Sequence, residues 1–111
     1  MFPGGGSQYP GMGAGLDARF EEFHTLRRRG VELVRALGGP DLAPLLIPGS
    51  DPAALRRPTA SLPAVFLTSV ALARQWMAFG AQPSVLIGHS LGEYAAAHLA
   101  GVFSFEDALS L

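Results

Sequence analysis

Apolar positions recur every three or four residues over most of the first 80 positions, the spacing of helices that bury one face. Residues 17–37 read as one helix, capped by Asp17 or a neighbour. Phe20, Phe23, Leu26, Val34 and Leu37 share a face, and Gly38-Gly39-Pro40 is a stop signal. Its polar face carries Arg27, Arg28 and Arg29, read as solvated rather than as a site for acidic ligands, and His24 reads as a surface histidine. Asp41 can cap a short helix to Ile47. Residues 48–52 (Pro-Gly-Ser-Asp-Pro) form a turn, and 53–57 one more helical turn that Pro58 ends. Ser61, with Pro63 in the first turn, opens a helix to about Phe79 that stops at Gly80. Val65, Phe66, Leu67, Val70, Leu72, Trp76, Met77 and Phe79 surround most of its circumference, which predicts burial against a sheet.

The period changes at Ser84. Val85, Leu86 and Ile87 are too few for a helix and read as a short buried strand, whereas residues 91–100 are rich in helix formers and close on Gly101. Ser104 with Asp107 three residues on is similar to a capping box, so a further helix begins at Phe105. Residues 1–15, dominated by glycine and proline, are predicted to be loop. A bare flexible tail has no use for Phe2, Tyr9 and Met12. No internal repeat is visible.

At 111 residues, 49% hydrophobic, the chain is the size of one small domain that can bury a core. The net charge of −1, with arginine supplying every basic side chain, leaves no extended basic surface, so nucleic acid is not expected as a partner. Without cysteine there is neither a disulfide framework nor a thiolate metal site, and three scattered histidines do not make a metal site. The longest apolar stretch is interrupted by Thr68, Ser69, Arg74 and Gln75, and no charged region followed by an apolar one opens the chain. No membrane span or signal peptide is read, and the expected location is the cytoplasm.

The junction of strand and helix carries the candidate chemistry. Gly88-His89-Ser90-Leu91-Gly92 has the Gly-x-Ser-x-Gly spacing of a nucleophile elbow, in which a serine on a strained corner projects its hydroxyl clear of the sheet. Side chains two residues to either side would collide, and Gly88 and Gly92 remove them. The helix begins at the serine, so the amide of Leu91 and the positive end of the helix dipole face a negative oxygen forming on an attacked carbonyl. The bland alternative for Ser90 is a helix N-cap; the apolar run before it and helical run after it favour the nucleophile. The early glycines could bring amides close to an anion, but Gly4-Gly5-Gly6 lacks the Gly-Lys-Ser/Thr ending of a phosphate loop. His98, eight residues beyond Ser90, lies about 12 Å along the helix axis and out of reach as a base, and His89 points elsewhere along the elbow.

Three stretches together resemble one family, the malonyl-CoA:acyl-carrier-protein transacylases and the acyltransferase domains of type I polyketide and fatty acid synthases. They are Phe2-Pro3-Gly4-Gly5-Gly6-Ser7-Gln8-Tyr9-Pro10-Gly11-Met12-Gly13, then Ala71-Leu72-Ala73-Arg74-Gln75-Trp76, and then residues 88–109, opening Gly88-His89-Ser90-Leu91-Gly92-Glu93-Tyr94. The resemblance runs the length of the chain and is closer to the synthase domains than to the stand-alone enzymes. It implies an α/β fold, with this chain part of the large α/β-hydrolase-like subdomain, mostly helical, and without the small ferredoxin-like subdomain. The implied divisions are a glycine-rich oxyanion loop (1–15), a helical segment (16–80), the strand, elbow and helix (84–101) and the start of the next helix (104–111).

The resemblance further implies a two-step transfer: Ser90 attacks an acyl-CoA thioester, holds the acyl group as an ester, and yields it to the phosphopantetheine thiol of an acyl carrier protein. It places the oxyanion amides at Leu91 and Gly5, and Gln8 and His89 with them among the substrate-binding residues. No bound cofactor or metal is implied; the partners are acyl-CoA, the carrier protein and the remainder of a multidomain synthase. Gly5 stands where most members have Gln, and Leu62 where a Gln precedes the retained Pro63. The aliphatic Leu91 is similar to malonyl-selecting members. The resemblance puts the catalytic histidine and the arginine that pairs with a malonyl carboxylate beyond Leu111, so the expectation is the N-terminal part of a domain, cut at both ends, with an incomplete catalytic set. The rival readings are an α/β-hydrolase-type esterase, which needs several strands before its elbow, and a non-catalytic piece of a synthase.

Overall fold

A computed structural model describes all residues, Met1–Leu111. It contains six α-helices: α1 (Ala14–Arg19), α2 (Glu21–Ala36), α3 (Pro52–Leu55), α4 (Pro58–Ala78), α5 (Gly92–Leu99) and α6 (Phe105–Ser110), with a 3-10 turn at Ala43–Leu45. α4 is the central element. It packs along α2 on one side and on α5 on another, and α6 closes the end against α2.

The helix expected over 17–37 is two helices. Phe20 is extended (φ −119°, ψ 116°) and breaks the run; Gly13 rather than Asp17 stands at the N-cap of α1, so the loop ends two residues earlier than predicted. Phe20 has no side-chain oxygen to cap α2. Its place is taken across the core, where Gln75 of α4 accepts a hydrogen bond from the Phe23 amide (3.1 Å). Because of the break, the buried face of α2 is Phe23, Arg27, Gly30, Val31 and Val34, and Leu37 is exposed. Arg27 is therefore buried rather than solvated. Arg28 pairs with Glu32 and Arg29 with Glu106 of α6, while His24 is exposed beside Asp17. Gly30 marks the closest approach of α2 to α4, since a Cβ there would overlap Leu67.

α4 begins at Pro58, three residues before the predicted cap. Proline suits the first helical position, and it holds Arg57 extended (φ −61°, ψ 131°) before it. Ser61 is thus an interior residue, buried in the helix, and Pro63 an interior proline with no amide to give the Thr59 carbonyl. Asp41 does accept a bond from the Ala43 amide (3.2 Å), but only a single 3-10 turn follows. Asp51 caps α3 through the Ala53 amide (2.9 Å). Ser104 accepts from the Asp107 amide at 3.0 Å, as the capping box predicts. Ser104→Ala should lower stability by about 1 kcal/mol, read as a shift in the denaturant midpoint at constant slope.

The largest departure concerns the sheet. No strand forms at 84–87; a single parallel bridge joins Phe2 to Gly88, and α4 is buried by helices rather than by a sheet. Val85 and Ile87 consequently stand 73% and 54% exposed. A strand needs a ladder of backbone bonds along its length, and this run has one, from the Phe2 amide to the Ile87 carbonyl. The core is Phe2, Met12, Leu42, Leu46, Leu55, the inner face of α4, and Ala95, Ala96 and Phe105. Phe105 stacks on Phe66 at 5.9 Å between ring centres. No helix is long and apolar enough to cross a membrane.

Candidate active site at the elbow

The corner is built from two segments far apart in sequence. The Phe2 amide donates to the Ile87 carbonyl (2.8 Å), and the Phe2 carbonyl accepts from the His89 amide (3.0 Å). These two bonds lay the start of the glycine loop along the approach to Ser90. The chain then reverses: the His89 carbonyl accepts from Gly92 (2.9 Å) and the Ser90 carbonyl from Glu93 (3.0 Å), which opens α5. To make the turn, Ser90 adopts φ 53°. It is the sole non-glycine residue in the left-handed region, where an L-residue is strained by about 1–2 kcal/mol.

The glycines are demanded by backbone crowding. A Cβ on Gly88 would overlap the Gly92 carbonyl group, and one on Gly92 would overlap the Phe2 carbonyl. Gly4 lies over the serine: a Cβ there would sit 2.8 Å from the His89 carbonyl oxygen and 3.2 Å from the Ser90 Cβ. Loop and elbow are thus in direct backbone contact. Neither the Leu91 amide nor the Gly5 amide donates a hydrogen bond within the chain, so both are free for an acceptor. Ser90 itself is exposed.

The remaining sequence-predicted residues divide. His89 flanks the loop, its Nδ1 3.2 Å from where a Gly4 Cβ would be. Gln8 is turned back to accept the Gly6 amide (2.9 Å), and the Ser7 hydroxyl donates to the Gly4 carbonyl (2.8 Å), so both brace the loop from within. Leu62 does reach the site, its Cδ2 3.3 Å from a Cβ placed on Gly5. His24 and His98 do not: His24 pairs with Asp17, and His98 bonds to the Phe103 carbonyl (3.0 Å) among Phe66 and Phe105. Beside the elbow opens a cavity of about 430 Å³ whose wall includes Leu62, Pro63, Phe66, Leu91 and Tyr94 and no charged side chain.

Two participants escape the motif reading. Gly4 had no signal beyond its glycine run. Arg27 had one: its spacing from Phe23, Val31 and Val34 puts it on the apolar face, where a solvated arginine does not belong. Burial lowers the Arg27 pKa, and the nearby Asp17 carboxylate opposes the shift.

A family model described as the acyl transferase domain matches residues 1–111. The chain belongs to the acyl transferase family. The acyl transferase chain is 39% identical over 110 residues to the non-reducing polyketide synthase pks27 of Aspergillus flavus, covering 99% of this chain and 5% of that protein. It is 41% identical over its full length to the polyketide synthase GfsB of Streptomyces halstedii, of which it covers 2%. Among solved structures it superposes on the acyl transferase domain of ZmaA with a TM-score of 0.90 at 34% identity, covering 97% of this chain and 26% of that one. On the acyl transferase domain of SpnD, solved in complex with 2-(pent-4-yn-1-yl)malonyl, the TM-score is 0.85 at 41% identity, covering 98% and 26%. The acyl transferase fold accounts for an α/β family being represented here almost wholly by helices, since this chain spans about a quarter of those two solved chains.

Proposed function

We propose that this chain supplies the nucleophile and the oxyanion amides of an acyl transferase that loads an acyl group, malonyl by preference, from CoA onto an acyl carrier protein. The Ser90 oxygen attacks the thioester carbonyl as its proton passes to a base, and the carbonyl oxygen becomes the oxyanion. Collapse breaks the carbon–sulfur bond; the CoA thiolate leaves and takes up a proton, and the acyl group stays on Ser90 as an ester. The phosphopantetheine thiol then gives its proton to the base and attacks the ester, and Ser90 departs reprotonated.

The observation that carries the reading is the left-handed Ser90, set under Gly4, with the amides of the next residue in each segment, Leu91 and Gly5, unengaged. One such amide is worth roughly 10²–10³ in rate. His24 and His98 are committed elsewhere and the His89 ring lies against Gly4, so the base is assigned to the remainder of the acyl transferase domain. The same holds for a cation opposite a malonyl carboxylate, because the adjoining cavity wall is uncharged. The malonyl preference draws support from Leu91 and from an acyl-carrier-protein S-malonyltransferase of Burkholderia pseudomallei that is 36% identical with a TM-score of 0.79, covering 97% of this chain and 34% of that one. Helices alone between Gly13 and Ser84 weigh against an esterase of the α/β-hydrolase class.

The test is intact mass and peptide mapping of the full-length protein after incubation with malonyl-CoA, with acetyl-CoA as comparison. A malonyl increment on the peptide containing Ser90, discharged by a phosphopantetheinylated carrier protein, is the expected result. An acyl-enzyme that forms but passes to water alone would make the protein a hydrolase.

A further inference from the structure

Between Pro3 and Pro10 the only hydrogen bond that reaches beyond Gly11 is that from the Met12 amide to the Tyr9 carbonyl. The internal bonds of the glycine loop are Gly6 to Gln8 and Ser7 to Gly4. The loop is therefore an arch held at its two ends. The front end is the backbone bridge of Phe2 to the elbow. The rear end is held by the Ala14 amide, which donates to the Gly11 carbonyl (3.0 Å), by the buried Met12 side chain, and by one charged side chain: Arg27 Nη1 donates to the Met12 carbonyl at 2.6 Å, and Nη2 reaches the Leu46 carbonyl at 3.3 Å.

Arg27 is 6% exposed; its guanidinium lies 5.7 Å from the centre of the Phe23 ring and meets no carboxylate at salt-bridge distance. A buried cation whose bonds go to backbone carbonyls is an expensive device for stability alone. Its two planar donors instead fix one carbonyl relative to another. Gly13 fits this arrangement, because a Cβ there would overlap Arg27 Nη1 and crowd the Phe23 ring.

We infer that Arg27 is a positioning residue for acyl transfer: by holding the Met12 carbonyl it helps fix the rear of the loop, and through the loop the Gly4-Gly5 segment that lies against Ser90. This rests on the reading of Ser90 as the acylated nucleophile. Arg27 lies on α2 and touches neither Ser90 nor Gly5, so its effect travels along the nine-residue arch. An arch loosened at one end keeps its substrate contacts at the front but lets the amide wander, which lowers the rate of acylation more than it weakens binding.

The experiment uses the full-length protein with Arg27→Met, Arg27→Lys and, as a control for lost stability, Val70→Ala in the core of α4. Acylation of Ser90 by malonyl-CoA is followed in single turnovers and amide hydrogen exchange is read over residues 4–13. For Arg27→Met the acylation rate at saturation should fall roughly 10- to 100-fold, with the half-saturating malonyl-CoA concentration changed less than about threefold, and exchange in the loop should speed up at least about tenfold. Arg27→Lys, which can still donate to one carbonyl, should recover part of both. Val70→Ala should lower the melting temperature and leave rate and loop exchange alone. Wild-type acylation in folded Arg27→Met, or loop exchange that changes no more than it does in Val70→Ala, would overturn the inference. If the wild-type protein does not acylate at Ser90, the functional reading fails instead, and the exchange measurement still decides whether Arg27 holds the loop.

Discussion

Ser90→Ala should leave a folded protein that transfers acyl groups roughly a million times more slowly, the scale seen when a serine nucleophile is deleted from an enzyme whose groups act as a unit. Alanine and serine differ here by one hydroxyl on an exposed side chain, so the denaturant midpoint should stay within about 0.5 kcal/mol of wild type. Ser90→Gly sharpens the test. The φ of 53° that strains serine is open to glycine, so that variant should be equally dead and more stable, by up to about 1 kcal/mol. Activity lost while stability rises is what a strained corner kept for chemistry produces. A Ser90→Gly protein less stable than wild type would mean that the corner is not strained as described, and a Ser90→Ala protein with more than about a thousandth of wild-type turnover would remove the serine from the chemistry.

Gly92→Ala should damage fold and rate together. The added methyl would occupy the Phe2 carbonyl, and that carbonyl cannot retreat without giving up the bond from the His89 amide. Rigid backbone lies on both sides of the clash, so relief requires moving the loop off the elbow. The expected loss is at least about 3 kcal/mol in stability, and at least roughly 10²-fold in acylation of the molecules that remain folded, because an oxyanion amide displaced by an ångström no longer meets its oxygen. Urea titration gives the first quantity and single-turnover acylation per folded molecule the second. Wild-type values for both would place the loop elsewhere.

The elbow was legible because its demands are local. A corner this tight specifies glycine at two fixed offsets from the serine, and Gly88 and Gly92 show in five residues what the backbone contacts show in space. The Ser104 cap and the stop at Gly80 were readable for the same reason, each being settled within one turn of helix. What depended on distant partners was not. The break at Phe20 is tolerated because Gln75, 52 residues away, satisfies the Phe23 amide. The start of α4 at Pro58 rather than Ser61 was a local signal read the wrong way, as a stop instead of a first helical position. Arg27 was misread because two neighbouring arginines drew it into a polar stripe, while its phase with Phe23 and Val34 put it inside. Gln8, placed by resemblance among substrate-binding residues, accepts the Gly6 amide within the loop.

The bare backbone at 84–87 has a further consequence. Apart from the Ile87 carbonyl, no backbone group from Gln82 to Ile87 is hydrogen-bonded, and no Asp, Glu, Lys or Arg falls between Arg74 and Glu93 to guard the segment. An extended, uncharged, half-naked run of Val, Leu and Ile is an open template for edge-to-edge aggregation, and natural proteins blunt such edges with charge or cover them. Handled by itself at high concentration, this chain should therefore self-associate along that line of its surface, and Val85→Lys should lower the light that it scatters.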